Sequence, residues 1–232
     1  MKEVKNMRKT LILVGQGKLA NSIKKGLPDY LNDYQIDDWE NIYQYPIENL
    51  IIVHIGSGRQ LSEAVEFCSK NKVPLIQGST GMNIERQDYN FTFIDAPNLS
   101  VLMLKFMHMI KEYGALFQDY QISITESHQD TKKSLPGTAI EIANALNVNP
   151  KEIKSIRNQD EQLNTYSIPK ESLSLHAFHE ISILDQGTTL HFKTLVEGHD
   201  SYVKGLSKII QSLDGLEDKY YHILDLIEKK LI

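Results

Sequence analysis

Short apolar runs alternate with amphipathic segments through the first hundred residues, and each run ends in a turn of small or polar residues. Leu11–Val14 is one such run and stops at Gly15-Gln16-Gly17. Leu19, Ile23 and Leu27 then recur at helical spacing, closed by Gly26 and Pro28. Tyr34–Trp39 predicts a second strand. Leu50–Ile55 is apolar almost throughout and bounded by Gly56-Ser57-Gly58, as expected of a strand covered on both faces. A helix over Leu61–Lys70 places Leu61, Ala64, Val65 and Cys68 on one side. Val73–Ile76 and Phe91–Ile94 predict two further strands, ended by Gly78-Ser79-Thr80-Gly81 and Asp95-Ala96-Pro97-Asn98. This alternation predicts an α/β fold built on a parallel, doubly wound sheet.

Near residue 100 the pattern changes. Val101–Phe117 predicts one long helix with Leu102, Phe106, Met109, Ile110 and Tyr113 turned inward and Met103, Met107 and Met109 as packing residues. Gln121–Thr125 predicts a strand that enters a polar loop carrying His128 and Lys132. Ala139–Leu146 reads as a helix, and Lys154–Arg157, Ser174–Leu184 and Thr188–Leu195 as strands, the last two joined through Asp185-Gln186-Gly187-Thr188. On Ser174–Leu184 the residues His176, Phe178, Glu180, Ser182 and Leu184 share one face. Val203–Leu213 and Glu217–Leu231 read as amphipathic helices. A second domain, mixing a sheet with helices, therefore begins near residue 100.

A chain of 232 residues is long enough for two such domains. The net charge of −5 argues against a general nucleic-acid or membrane-surface binder. Cys68 is the single cysteine, which excludes an intrachain disulfide and places a thiol on the buried side of its helix. No stretch is apolar for long enough to span a membrane. Met1–Thr10 is basic but leads into a short strand-like run rather than a signal peptide, so the expected location is the cytoplasm. His54, His108, His176, His179, His191, His199 and His222 are scattered without metal-ligand spacing, and no metal site is expected.

Three features carry chemistry. Gly15-x-Gly17-x-x-Ala20 follows a strand and opens a helix: Gly15 permits the sharp turn, Gly17 lets backbone approach a pyrophosphate, and the N–H groups at Lys18 and Leu19 face the phosphate charge. Asp37 and Asp38, at the end of the second strand, stand where a carboxylate can bind a ribose hydroxyl. No Lys or Arg lies within several residues of them, which favours NADH over NADPH. Gly78-Ser79-Thr80 and Ala96-Pro97-Asn98 end successive strands and so face the same crevice, as candidates for the nicotinamide side. Finally, His128 can serve as a general acid, Lys132 can donate a proton or bind a carboxylate, and Gly137 and Thr138 offer a helix start to an anion. The residues alone leave open a reductase of another small imine or keto acid, or a catalytically silent nucleotide-binding protein.

In this combination the chain resembles the 4-hydroxy-tetrahydrodipicolinate (dihydrodipicolinate) reductase family. Gly15-x-Gly17, Gly78-Ser79-Thr80-Gly81 and Ala96-Pro97-Asn98-Leu99-Ser100 resemble its cofactor turns. Glu126-Ser127-His128 through Pro136-Gly137-Thr138-Ala139 resembles its signature, Glu-Ala-His-His, a Lys, then Pro-Ser-Gly-Thr-Ala. Ser155-Ile156-Arg157 and Tyr202-Val203-Lys204-Gly205-Leu206 resemble weaker blocks. The resemblance implies a Rossmann domain over 1–100, to which a C-terminal helix over 215–232 returns. It also implies a mixed α/β domain over 101–214 that binds substrate and builds a homotetramer. It implies reduction of a cyclic dicarboxylate imine in the diaminopimelate route to lysine, with NADH or NADPH. His128 matches the acid/base histidine, Lys132 the proton-donating lysine (Lys133 is the other possibility), and Gly137 and Thr138 the carboxylate-binding groups. Gln129, expected at the substrate, stands where the family has its second histidine. The serine between Pro136 and Gly137 is missing, and His199 replaces a usual arginine.

Overall fold

The computed structural model describes residues 8–79, 84–132 and 136–232. In chain order its first elements are β1 (Lys9–Val14), α1 (Lys18–Gly26), β2 (Tyr34–Asp38), β3 (Leu50–His54), α2 (Leu61–Asn71), β4 (Leu75–Gln77) and β5 (Phe93–Asp95). There follow α3 (Val101–Tyr113), β6 (Gln121–His128), α4 (Gly137–Ala145), β7 (Lys154–Ile156), α5 (Gln159–Asn164), β8 (His176–Asp185), β9 (Thr188–Glu197), α6 (Asp200–Gln211), β10 (Tyr220–His222) and α7 (Ile223–Glu228). They form two compact units, one holding the described residues up to Val101 together with Tyr202–Ile232, the other Leu102–Ser201.

The first unit is built on a six-stranded sheet in the order β10-β5-β4-β3-β1-β2, every pairing parallel. Its strands alternate between two dry faces. Ile12, Val14, Leu50, Ile52, Leu75 and Phe93 join Leu61, Ala64 and Cys68 of α2 in one core cluster. Leu11, Leu13, Ile51 and Val53 point to the opposite face and are equally buried. Burial also pushes the pKa of the Cys68 thiol up, leaving it unreactive.

The C-terminal segment departs from the expected helix over Glu217–Leu231. Tyr220–His222 instead pairs with Phe93–Asp95 as the sixth strand. Tyr220 stacks on Phe93, and its hydroxyl donates to Asp95 Oδ2 at 3.0 Å. Only Ile223–Glu228 is helical, started by a capping box in which Asp225 accepts from the His222 N–H at 2.9 Å. Residues 202–214, assigned by sequence to the second domain, lie in the first unit because α6 packs against its backbone at Leu99. There only a glycine, Gly205, fits.

The second unit carries a four-stranded sheet, β7-β6-β8-β9, with β6–β7 parallel and the other two pairs antiparallel. Ile124, Ile181 and Ile183 of the sheet meet Met103 and Ile110 of α3 and Ala139, Ile142 and Ala143 of α4. The inward face of α3 matches expectation in part: Ile110 and Met103 are buried and Phe106 packs against the core, whereas Leu102, Met109 and Tyr113 are exposed and Leu104 is buried instead. The α-helix also stops at Tyr113, short of Phe117. The backbone of Gly114 passes so close to Ala145 that a Cβ there would sit 2.6 Å from the Ala145 carbonyl oxygen. Among the described residues no helix is long and apolar enough to cross a membrane, and no group of three or more His, Cys, Asp or Glu could hold a metal ion.

Candidate active site

In the first unit the candidate cofactor residues follow the C-terminal ends of parallel strands, and so share one edge of the sheet. Gly15 has φ +140°, and a Cβ on it would lie 2.8 Å from the Ile55 carbonyl carbon and oxygen, so both conformation and space demand glycine. Gly17 is different. It caps α1 with φ −79° and ψ −177°, which any residue can adopt, and a Cβ there would meet nothing within 4 Å. Its missing side chain serves no internal packing. It leaves open the first turn of α1, where the N–H groups at Lys18 and Leu19 have no intrahelical acceptor and no acidic side chain intervenes.

The turns are locked together by a buried network that the sequence reading missed. His54 ends β3 and Gln77 ends β4, and both are fully buried. Ser79 N–H donates to Gln77 Oε1 at 2.7 Å and Gln77 Nε2 returns a bond to the Ser79 carbonyl at 2.9 Å, which fixes the amide orientation. His54 Nε2 donates to the Arg59 carbonyl at 2.9 Å, and the Ser57 N–H donates to Ser79 Oγ at 3.1 Å. Gly78 N–H donates to the His54 carbonyl and Ala96 N–H to the Gln77 carbonyl, each at 2.8 Å. Pro97 and Asn98 are half-buried, and Asn98 Oδ1 caps the Ser100 N–H at 2.9 Å. A polar residue closing an otherwise apolar strand, as in Leu50–His54, was the available signal. Thr80 lies outside the described residues.

Asp37 sits at the end of β2 with both oxygens engaged. Tyr45 donates to Oδ2 at 2.5 Å, and the Asn41 amide and the Asp38 N–H donate to Oδ1 at 2.9 and 2.8 Å. The bonds from Tyr45 and Asn41 hold its carboxyl below the usual range. Asp38 pairs with Lys24 of α1 at 2.7 Å, a cation that sequence proximity could not place beside the two acids.

In the second unit His128 is not on a loop but is the last residue of β6, paired opposite Ala177 of β8. Two residues back on the same face of the strand lies Glu126, completely buried. His128 Nδ1 is 2.8 Å from Glu126 Oε2. Arg157 meets the same carboxylate bidentately, Nη2 to Oε1 at 2.7 Å and Nη1 to Oε2 at 3.1 Å. Burial alone would raise the Glu126 carboxyl, but hydrogen bonds from His128, Arg157 and Ser155 outweigh it and lower its pKa to about 2. An ionised carboxylate only accepts, so Nδ1 of His128 carries a hydrogen and Nε2 is the nitrogen left for proton exchange.

Two further histidines flank the ring. His176 lies near-parallel at 6.4 Å between centroids and His179 edge-on at 5.9 Å. Burial lowers the pKa of both, that of His179 to about 4 with help from the His128 charge, so both rings are neutral at pH 7. His176 is anchored by the Ser172 carbonyl and the Ser127 hydroxyl. Gln162 of α5, fully buried, donates to Ser127 Oγ at 2.9 Å and to the His128 carbonyl at 2.8 Å.

Gln129 and Lys132 follow directly, in a turn closed by Lys132 N–H donating to the Gln129 carbonyl at 3.0 Å; both are half-buried. The Lys132 carbonyl accepts from Arg157 Nε at 2.9 Å. Lys133 lies outside the described residues. Helix α4 starts at Gly137 with Pro136 as its N-cap, no side-chain cap and no acid in the first turn. Gly137 is exposed with open space around it, and Thr138 is half-buried. Glu126 and Arg157 have no role assigned from the sequence, although both stand in segments singled out there; His176, His179 and Gln162 around the ring have none either.

A family profile described as "Dihydrodipicolinate reductase, C-terminus" matches residues 102–227, more than half of the chain. The chain belongs to the dihydrodipicolinate reductase family. The matched span of this reductase-family chain contains His128, Lys132, Gly137, Thr138, Glu126 and Arg157. A rice relative described as a probable chloroplastic 4-hydroxy-tetrahydrodipicolinate reductase 1 is 27% identical over 208 residues, 80% of this chain and 60% of its own length. A 4-hydroxy-tetrahydrodipicolinate reductase of Rickettsia canadensis is 23% identical over 189 residues, 76% of this chain and 78% of its own. The chain thus spans about 60% of the length of the plant relatives it matches. A dipicolinate-bound dihydrodipicolinate reductase from Paenisporosarcina sp. TG-14 shares the fold with a TM-score of 0.68 at 15% identity, covering 93% of this chain and 98% of that one.

Proposed function

We propose that the chain converts 4-hydroxy-tetrahydrodipicolinate, a cyclic dicarboxylate imine, to tetrahydrodipicolinate in the diaminopimelate route to lysine, taking one hydride from a reduced pyridine dinucleotide and one proton and releasing the 4-hydroxyl as water. The observation that carries the reading is His128. Its Nδ1 is tied to a buried, ionised Glu126 and its Nε2 is left to act, on the same short segment as Lys132 and ahead of the uncapped start of α4. When bound, the dinucleotide supplies the hydride. Gly17 and the first turn of α1 hold its pyrophosphate, and Asp37 meets the adenine-side ribose. Lys24 is neutralised by Asp38 and so adds little attraction for a 2′-phosphate, which supports a preference for NADH. The first-turn N–H groups of α4 and the Thr138 hydroxyl hold one substrate carboxylate. Lys132 polarises the acceptor, and His128 and Lys132 deliver the proton that completes reduction. Strand β9, paired only on its β8 side among the described residues and exposing Leu190 and Leu195, supports assembly through this sheet into a homotetramer.

Two experiments test the reading. His128→Gln and Lys132→Met should each lower kcat about 100-fold or more with the affinity for NADH unchanged. Wild-type turnover in either variant contradicts the assignment. Gly17→Ala should leave the unfolding free energy within about 1 kcal/mol of wild type, because a Cβ there meets nothing within 4 Å and only an N-cap preference is lost. It should also weaken NADH binding at least about tenfold in a fluorescence titration. Unchanged binding would remove the pyrophosphate from this turn.

A further inference from the structure

We infer that Arg157 is a positioning residue that sets both proton-handling groups at once: the tautomer of His128, through Glu126, and the place of Lys132, through its carbonyl. The inference rests on the reading of His128 and Lys132 given above. A guanidinium has five N–H bonds in a rigid plane, and four of them are committed here. Nη1 and Nη2 grip the Glu126 carboxylate at 3.1 and 2.7 Å, Nε reaches the Lys132 carbonyl at 2.9 Å, and Nη1 also reaches the Ile156 carbonyl at 2.8 Å. Arg157 directly follows β7, which pairs in parallel with β6 so that Ser155 lies opposite Glu126. The sheet therefore delivers the fork to the carboxylate. One planar group thus joins the acceptor of His128 Nδ1–H to the backbone that carries the lysine.

Removing the fork leaves Glu126 fully buried without its bidentate partner. Such a carboxylate takes up a proton or turns away, and in either case stops acting as the acceptor that fixes Nδ1–H. A lysine at 157 keeps the charge but offers a single point of donation, so it cannot serve both the carboxylate and the Lys132 carbonyl.

The test uses full-length protein labelled with 15N at histidine, in which the long-range 1H–15N spectrum reports the protonated ring nitrogen of each histidine. The His128 signals are identified by their loss in His128→Gln. In wild type at a pH where the ring is neutral, His128 should show the Nδ1–H pattern. In Arg157→Lys and Arg157→Ala that pattern should give way to a mixture or to Nε2–H. In parallel, kcat should fall about 10–100-fold while NADH affinity stays within twofold. A merely structural role would not move one ring's tautomer in a protein that still binds its cofactor. Retention of the wild-type His128 pattern in Arg157→Lys overturns the inference, as does wild-type kcat in that variant. If Arg157→Ala fails to fold, Arg157→Lys decides alone. The spectrum needs no substrate, so a wild-type protein that turned over nothing would sink the proposed reaction and still leave this inference open to test.

Discussion

Replacing Gly205 by alanine should destabilise the protein by more than about 3 kcal/mol or abolish folding, the largest effect expected of any single methyl group in this chain. Helix α6 buries Val203, Leu206, Ile209 and Ile210 and lies at Gly205 directly on the backbone of Leu99. A Cβ at 205 would sit 1.7 Å from the Leu99 carbonyl oxygen and 2.9 Å from its carbonyl carbon. Backbone cannot rotate away as a side chain can. Either the helix must lift off the core or residues 99–101 must move, pulling on the adjacent Ala96-Pro97-Asn98 turn. Chemical denaturation of Gly205→Ala beside Gly17→Ala gives the comparison: both add one methyl group to a glycine, one against backbone and one into open space. Equal stability of the two would contradict the packing described here.

The second large effect is acid destabilisation in two separable windows. The His179 pKa is lowered from 6.5 to about 4 in the folded chain, chiefly by burial. As pH falls from 6.5 to 4 the unfolded chain takes up a proton that the folded chain refuses, so stability drops with decreasing pH, by roughly 3 kcal/mol in all. The Glu126 pKa is lowered from 4.5 to about 2. Its contribution is complete above the unfolded value near 4.5 and is lost as pH falls through the folded value near 2, again roughly 3 kcal/mol. His179→Leu should take most of the slope out of the upper window, leaving the part contributed by His176, whose pKa burial also lowers, and leave the lower window in place. Glu126→Gln should flatten the lower window and, by leaving Arg157 without its charge partner, cost roughly 2–4 kcal/mol at pH 7. Urea unfolding between pH 2 and 8 reads both limbs. A wild-type profile flat from pH 6.5 to 4 would mean that His179 titrates freely.

The first unit was legible because its strands are short runs buried on both faces. Leu11–Val14 and Leu50–Ile55 are unmistakable next to glycine turns, and their parallel pairing puts every turn on one edge. Strand β10 was not legible. Tyr220–His222 is three residues long, lies beside Lys219 and runs straight into Ile223–Glu228, so helical periodicity continues across it. The face of α3 is only partly legible because the helix is apolar around much of its circumference. Phe106 and Ile110 face the core as their spacing suggests, but Leu102, Met109 and Tyr113 continue the same stripe and are exposed, a difference that only tertiary packing decides.

At the site, His128 and Lys132 stood out by residue type, but their support did not. Ending the strand at Thr125, where the chain turns polar, hid the fact that Glu126 and His128 share a face. The ladder to β8 carries the strand on through Ala177 regardless of polarity. Arg157 arrives from another strand, and nothing local links it to residue 126. The Asp38–Lys24 pair went unseen for the same reason: the cation comes from a neighbouring helix rather than from the neighbouring sequence.

The central claim is hydride delivery to a cyclic imine by a chain whose acid is His128. Incubation with NADH carrying deuterium at both C4 positions and freshly generated 4-hydroxy-tetrahydrodipicolinate, followed by mass spectrometry of the product, tests it directly. Wild type should form tetrahydrodipicolinate carrying one deuterium, and His128→Gln should form it at least about 100-fold more slowly. Protein that binds NADH yet transfers no label from it, nor from equally labelled NADPH, would contradict it.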